Sequence, residues 1–151
     1  MTFQIRKAAI QDIPEVYSFE LAYIREIEPG VEENWKHSIQ TLLRQWIANL
    51  PRMFIAQLDG EPIGHCFWQM EGRTALLASI YIMPRWRRRG YGLLLLAGYE
   101  QDAVDNGFSH LQIGVHESNP ASALYNRAGY QWTHKHNSYD YYEKDIDRLR
   151  N

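Results

Sequence analysis

Four stretches of the chain repeat apolar residues at the spacing of an α-helix. They cover residues 13–27, 35–50, 93–106 and 119–128. The first two are amphipathic, and each stops at a proline. Asp12 is the predicted cap of the first helix, and Asn119, followed by Pro120, is the predicted N-cap of the last. The pattern therefore predicts four helices.

Short runs rich in β-branched and aromatic residues separate these helices. A first strand is expected around Phe3 and Ile5, and further strands at 53–58, 62–70, 74–83, 109–115, 130–136 and 138–146. Asp59-Gly60 is a hairpin signal between two of them. The run TALLASIYIM at 74–83 is nearly continuous in apolar residues, which predicts a central strand buried on both faces.

The predicted order of elements is β-α-α-β-β-β-α-β-α-β-β, a mixed α/β fold of the α+β kind. No internal repeat, low-complexity tract or long linker interrupts it. We therefore expect residues 1–151 to form a single domain, which is an ordinary size for one.

Charge is nearly balanced over the chain but locally concentrated. There are 16 basic and 18 acidic residues, giving a formal net charge of −2. This balance argues against a dedicated nucleic-acid-binding protein. Four arginines lie together at 85, 87, 88 and 89. A local basic cluster on a near-neutral protein indicates a small anionic ligand rather than a long polyanion.

The remaining composition indicates a protein of the cytoplasm. The single cysteine, Cys66, excludes an intrachain disulfide and is interpreted as a buried core thiol. The N-terminal residues contain no apolar signal segment, and no apolar run approaches the length of a membrane span. We expect no membrane association.

The junction PRWRRRGYGLLLL, residues 84–96, combines the basic cluster with two glycines and the start of a helix. A helix start offers unpaired backbone N–H groups and a partial positive charge. Gly90 and Gly92 allow a ligand to approach the backbone closely. Arginines add charge-assisted hydrogen bonds. The junction therefore predicts a site for phosphate or pyrophosphate.

Two common phosphate-binding motifs do not fit this junction. The P-loop requires Gly-x4-Gly-Lys-Ser/Thr, and the chain contains no such string. The dinucleotide fingerprint requires a third glycine at position 95, which is leucine. That fingerprint also follows the first strand of its unit, whereas this junction follows the fourth predicted strand.

The junction resembles the acyl-CoA pyrophosphate loop of the GNAT superfamily of N-acetyltransferases. The family pattern Gln/Arg-x-x-Gly-x-Gly/Ala reads Arg87-Arg88-Arg89-Gly90-Tyr91-Gly92 here. The stretch LQIGVHESNPASALYNRAGYQ, residues 111–131, is similar to the family's fifth strand and fourth helix. The resemblance covers nearly the whole chain and implies a mainly antiparallel sheet of about six or seven strands, flanked by four helices.

This resemblance implies acetyl transfer from acetyl-CoA, a cosubstrate, to a primary amine by direct attack in a ternary complex. No metal is expected. Tyr125 resembles the family's tyrosine that protonates the departing thiolate, and is the candidate catalytic residue. The residues implied to hold the cosubstrate are Ile80, Tyr81, Ile82, Arg87, Arg88, Arg89, Gly90, Tyr91, Gly92, Leu93, Asn119 and Tyr125.

The general base and the acceptor stay open at the level of sequence. The predicted central strand offers no acid or histidine, and the candidates are Ser79, Tyr81, His116, Glu117 and His65, or a water chain. Glutamates at 26, 28, 32 and 33 indicate either a cationic acceptor, such as a small amine or a peptide, or merely a solvated acidic loop. His134 and His136 have a spacing that could bind a metal, but no third ligand is evident.

Two alternatives to a catalytic N-acetyltransferase remain. One is a non-catalytic acyl-CoA-binding sensor or partner module, which the absence of an acid from the central strand favours. The other is an enzyme that acts on RNA, which the acidic acceptor region disfavours. A homodimer is a further expectation from the family resemblance.

Overall fold

The computed structural model describes residues 1–146, which form one seven-stranded sheet and five α-helices. The helices are α1 (Ile13–Ile27), α2 (Glu32–His37), α3 (Ile39–Ala48), α4 (Tyr91–Asp105) and α5 (Ser122–Arg127). The strands are β1 (Phe3–Lys7), β2 (Met53–Leu58), β3 (Glu61–Glu71), β4 (Thr74–Ile82), β5 (His110–His116), β6 (Gln131–His136) and β7 (Tyr139–Asp145).

The strands lie in the order β1-β2-β3-β4-β5-β7-β6. Only β4 and β5 pair in parallel, and the other neighbours are antiparallel. The predicted mixed α/β fold with a mainly antiparallel sheet is therefore confirmed. Within the described part of the chain, no helix is long and apolar enough to cross a membrane.

Three details of the predicted helices differ in the structure. The second predicted helix divides into α2 and α3 at Ser38, whose ψ of 14° leaves the helical region, so there are five helices rather than four. Asn119 does not cap α5, which begins at Ser122; its Oδ1 accepts at 3.0 Å from the N–H of Ala121, which is itself the N-cap residue. Asp12 occupies the N-cap position of α1 as predicted, but its side chain makes no cap hydrogen bond, because Arg6 and the Ala9 N–H bind its carboxylate.

Helices cover both faces of the sheet. Side chains alternate between the two faces along β2. Met53 and Ile55 belong to one buried cluster, which includes residues of α1 and α3. Ala56 and Leu58 belong to the larger cluster on the other face, which includes residues of α4. The first cluster centres on Trp46, and the second includes Trp68 and Cys66, which is fully buried and free as predicted. These two apolar layers cover the two faces of the sheet.

The sheet opens between β4 and β5. The two strands pair only from Thr74 to Leu77, against His110 to Ile113. Beyond that point β4 stays with β3, and β5 continues along β7. Ala78, in the middle of β4, is exposed as a result. The expectation that β4 is buried on both faces and central throughout is therefore wrong for its second half.

His110, at the start of β5, contributes a pH-dependent term to stability. Its Nδ1 lies 2.7 Å from Asp145 Oδ1, and its Nε2 lies 2.6 Å from Glu143 Oε1. Hydrogen bonding to Asp145, reinforced by Glu143, raises the pKa of His110. A raised pKa stabilises the fold fully below the unfolded value of about 6.5, and the contribution disappears as pH rises through the folded value.

We therefore expect His110→Asn to destabilise the protein most between about pH 5 and 6.5, with the difference from wild type vanishing at higher pH. Thermal unfolding of both proteins across this range measures the effect. His37→Asn, at an exposed position on α2, is the matched control and should show no such convergence. A His110→Asn defect that is constant with pH would contradict the ion-pair assignment.

Candidate active site

A cavity of about 710 Å³ occupies the opening between the two halves of the sheet. Its walls come from the end of β4, the loop before α4, the start of α5 and the side of α1. This volume is within the range of small-molecule sites, roughly 300–1,000 Å³. The cavity is therefore large enough for an extended ligand that follows the β4 edge.

The exposed edge of β4 presents backbone groups to this cavity. Met83 donates to Ile63 O at 2.8 Å, so the alternation of an antiparallel ladder turns the N–H and C=O groups of Ile80 and Ile82 away from β3. No strand pairs with them on the other side, because β5 has diverged. Arg87 Nε donates to Ile82 O at 2.8 Å, and the backbone groups that remain on this edge require hydrogen-bond partners, which a ligand in the cavity can supply.

The loop between β4 and α4 forms the basic end of the cavity. Gly90 occupies the N-cap position of α4 with a φ of 86° and no side-chain cap, so amides of the first helical turn stay available. Arg88 also has a positive φ of 63°, which is unusual for a residue with a side chain. Such strain is typical of functional loops.

The three arginines that line the cavity differ in their pairing. Arg87 is held by Glu26 at 2.7 and 2.8 Å, donates to Ile82 O at 2.8 Å, and lies over the Tyr81 ring. Its hydrogen bond to Glu26 raises the pKa of Arg87. Arg88 and Arg127 have no ion-pair partner among residues 1–146. The free positive charge of the cavity therefore comes from these two side chains.

Most of the residues expected to bind the cosubstrate line this cavity. They are Ile80, Tyr81, Ile82, Arg87, Arg88, Gly90, Gly92, Leu93, Asn119 and Tyr125. The side chains of Arg89 and Tyr91 do not. The Arg89 guanidinium lies over Trp86, and the Tyr91 ring stacks on Phe3 with centroids 4.6 Å apart. Both side chains pack against other aromatic residues outside the cavity.

A second, smaller cavity of about 260 Å³ adjoins the first. It lies between α1, α3 and the facing parts of β4, β5 and β7. Four residues, Tyr23, Ile80, Asn119 and Tyr125, line both cavities. The end of a ligand bound in the first cavity would therefore contact a ligand bound in the second cavity at these four residues.

Tyr125 lies at this meeting point with its ring in the core. The residue is 3 % exposed and packs edge-on against Tyr130. Its hydroxyl has no hydrogen-bond partner within residues 1–146. Burial raises the pKa of Tyr125, so the hydroxyl keeps its proton at neutral pH. A protonated, unpartnered hydroxyl between two cavities can act as a general acid.

Glu20, which sequence reasoning did not single out, supplies a carboxylate to the second cavity. Its Oε2 accepts from Ser79 Oγ at 3.0 Å, and its Oε1 lies 3.7 Å from His65 Nε2. A signal was present in the sequence. Val16, Glu20 and Ile24 are spaced by four residues, so Glu20 interrupts the buried stripe of α1.

Tyr23 and Arg127 are two further residues that were missed. Tyr23 lines both cavities, and burial, with the nearby Glu28 carboxylate, raises its pKa to about 12. It is a second protonated hydroxyl at the meeting point. Arg127 follows the apolar residues of α5 and gave no pattern that distinguishes it from an ordinary surface arginine.

The other residues considered as the general base lie at different positions relative to the two cavities. His116 lies 3.8 Å from Glu28 beside the second cavity. Glu117 points outward and pairs with Lys135 at 3.0 Å. His65 is fully buried, and Tyr81 lines only the first cavity. Within residues 1–146, no group of three or more histidine, cysteine, aspartate or glutamate side chains could hold a metal, so His134 and His136 gain no third ligand.

Solved structures with the same fold share this architecture. PaiA N-acetyltransferase from Thermoplasma acidophilum, in complex with coenzyme A, is 20% identical with a TM-score of 0.84, covering 97% of this chain and 100% of that one. The N-acetylglutamate synthase of Neisseria gonorrhoeae, complexed with coenzyme A and N-acetyl-glutamate, is 18% identical with a TM-score of 0.73. That match covers 98% of this chain and 36% of the synthase.

Sequence comparison assigns the family. No curated protein gave a significant match to the sequence. The family model described as "Acetyltransferase (GNAT) family" matches residues 15–130, most of the chain and both motifs identified from sequence. The chain therefore belongs to the acetyltransferase (GNAT) family of enzymes, and the resemblance carried by Arg87–Gly92 and by residues 111–131 is confirmed.

Proposed function

We propose that this enzyme transfers an acetyl group from acetyl-CoA to a primary amine of a cationic small molecule or peptide, by direct attack in a ternary complex. One observation carries the proposal. A cavity with free arginines and an acid-lined cavity meet at Tyr125, a protonated tyrosine whose hydroxyl has no hydrogen-bond partner in the described part of the chain. This arrangement suits two substrates that react at the meeting point.

The residues of the first cavity fit acetyl-CoA. Arg88, Arg127 and the amides at the start of α4 would hold the pyrophosphate. The backbone groups of Ile80 and the N–H of Ile82 would hold the extended pantetheine arm, as a strand pairs with a sheet edge, while Ile82 O accepts from Arg87. Arg87, already neutralised by Glu26, fixes the loop to α1 instead of contributing free charge. Bound acetyl-CoA supplies an activated thioester.

Glu20 and Tyr125 would perform the two proton transfers. An alkylamine is protonated at neutral pH, so it must lose a proton before it can attack a carbonyl carbon. Glu20, held by Ser79, is the carboxylate placed to receive that proton. The neutral amine attacks the carbonyl carbon, the C–N bond forms and the C–S bond breaks, and Tyr125 gives its proton to the departing thiolate. The second proton that the nitrogen loses replaces the one given up by Tyr125, and Glu20 returns its proton to solvent. A positioned acid or base typically contributes about 10²–10⁴-fold.

A thiol-release assay tests the proposal. The purified protein is incubated with acetyl-CoA and a panel of primary amines, and free coenzyme A is measured together with the acetylated amine. We expect release that depends on both substrates. Binding of acetyl-CoA without release for any amine or peptide would instead favour the non-catalytic acyl-CoA-binding alternative.

Gly90→Ala should weaken acetyl-CoA binding by about tenfold or more, because a side chain at φ 86° costs roughly 1–2 kcal/mol and reorients the amides that start α4. Gly60→Ala is a matched control, since Gly60 has a φ of 85° and open space around its Cα, like Gly90, but lies in the β2–β3 hairpin. Calorimetric affinities compare the two. Equal acetyl-CoA affinity in both variants would contradict the role of the loop.

A further inference from the structure

Two glutamates in the second cavity have no lysine or arginine partner within residues 1–146. Glu20 and Glu28 both line it, and the side chain of each is 12 % exposed. No lysine or arginine is among the described residues that line this cavity. Elsewhere in the same region, Glu26 pairs with Arg87, and Glu32 pairs with Arg25 and Lys36. The two carboxylates of the second cavity therefore differ from their neighbours in the same region in having no lysine or arginine beside them.

Neutral groups hold the two carboxylates in place. Ser79 Oγ donates to Glu20 at 3.0 Å, and the Tyr139 hydroxyl donates to Glu28 at 2.8 Å. The His116 Nδ1 accepts from the Ser118 N–H at 3.1 Å, and its Nε2 lies 3.8 Å from Glu28. These contacts orient both carboxylates without removing their charge.

His65 lies beside Glu20 but does not itself line the second cavity. The side chain is fully buried, and neither ring nitrogen has a hydrogen-bond partner. Its Nε2 is directed at Glu20 Oε1 from 3.7 Å, which is too long for a direct hydrogen bond. Buried polar atoms are normally satisfied. Among residues 1–146, Ser79 donates to Glu20 Oε2 and no group donates to Oε1, so Glu20 Oε1 is available to a cationic ligand in the cavity.

Size and spacing restrict the ligand. Glu20 lies within α1 and Glu28 is the residue directly after its end, so the two are separated by roughly 12 Å along the helix axis. The cavity between them holds about 260 Å³, below the usual range for drug-sized ligands of roughly 300–1,000 Å³. Trp35, Trp46 and Tyr139 line its sides. Aromatic walls with an acid at each end suit a slender aliphatic chain with a cation at each end.

We propose that the acceptor is an aliphatic amine with two cationic nitrogens. The reacting nitrogen lies toward Glu20 and Tyr125, and the second ammonium binds Glu28. This inference rests on the proposed acetyl transfer and narrows its acceptor. It selects slender amines over bulky multi-ring cations and over folded protein surfaces.

The test uses the full chain, acetyl-CoA and α,ω-diaminoalkanes of four to ten carbons, each compared with the monoamine of equal length. We expect kcat/KM for the best diamine to exceed that of its monoamine by roughly 10- to 100-fold, the effect of one charge-assisted contact. An ω-amino acid of the same length, with a carboxylate at the remote end, should be the poorest substrate.

Glu28→Gln should bring the ratio of diamine to monoamine kcat/KM close to one, since the amide keeps the size but loses the charge. Glu33→Gln, at an exposed position on α2, is the control and should keep the ratio of wild type. A wild-type ratio near one, or one that survives in Glu28→Gln, overturns the inference. Acetyl-CoA binding without acetylation of any diamine also overturns it and leaves the cosubstrate site standing. Absence of acetyl-CoA binding overturns both proposals.

Discussion

Replacing Tyr125 by phenylalanine is expected to lower kcat for acetyl transfer by about 10²–10⁴-fold, the usual contribution of a positioned acid. The reason is that the buried hydroxyl at the meeting point of the two cavities loses its transferable proton. The affinity for acetyl-CoA should stay the same, because phenylalanine keeps the ring that lines the cavity. Steady-state kinetics and calorimetric titration measure the two quantities separately.

This substitution is a clean test because the Tyr125 hydroxyl makes no hydrogen bond within residues 1–146. Its removal should therefore leave the melting temperature nearly unchanged. Tyr130→Phe is a control that should change stability without changing catalysis. The Tyr130 hydroxyl donates to Glu100 at 2.7 Å, so its loss should reduce stability but not kcat. Full activity of Tyr125→Phe would remove Tyr125 from the mechanism.

Glu20→Gln is expected to lower kcat/KM for alkylamine acceptors by about 10²–10⁴-fold, because the amide cannot accept the proton of the amine. Glu20 is the carboxylate held by Ser79, next to Ile80, where the two cavities meet. The amide retains an oxygen that can accept from Ser79, so the local structure should persist. Acetyl-CoA affinity should again be unchanged, since Glu20 lines only the second cavity. Glu15→Gln, at an exposed position on the same helix, should behave like wild type.

A proton acceptor can be distinguished from a merely structural glutamate by chemical rescue. In Glu20→Ala, added formate should raise the rate in proportion to its concentration, because the small carboxylate can occupy the vacated volume. Formate should not accelerate the wild-type enzyme. Two results together would contradict the assignment of Glu20 as the proton acceptor. They are a loss of activity in Glu20→Ala that formate does not rescue, and an unaltered rate in Glu20→Gln.

The cosubstrate side of the site could be predicted from sequence because its residues are close together along the chain. Gly90, Gly92 and the arginines before them belong to one junction between a strand and a helix. A local pattern of glycines, basic residues and a helix start is sufficient to indicate anion binding. Most of the residues expected there line the cavity, even though the Arg89 and Tyr91 side chains pack elsewhere.

The acceptor side depends on contacts between distant parts of the chain. Glu20 meets Ser79 across 59 positions, Arg87 meets Glu26 across 61, and Tyr139 meets Glu28 across 111. Periodicity places each residue on an element but does not say which elements face each other. Of the acidic residues noted from sequence, only Glu28 lines the second cavity.

The separation of β4 from β5 also could not be predicted from the sequence pattern. TALLASIYIM reads as a uniformly buried strand, yet Ala78 is exposed because β5 diverges after Ile113. Strand divergence is a tertiary property, and hydrophobicity alone does not reveal it. The same limit applies to Ser38, where one turn in an otherwise continuous helical pattern separates α2 from α3.

Calorimetric titration of the protein with acetyl-CoA, compared with ATP, tests the central claim most directly. Both ligands carry adenine and phosphates, but only acetyl-CoA has an arm that can pair with the edge of β4. We predict micromolar binding of acetyl-CoA and much weaker binding of ATP. No binding of acetyl-CoA, or equal binding of ATP, would mean that the cavity holds another anion and would contradict the proposed acetyl transfer.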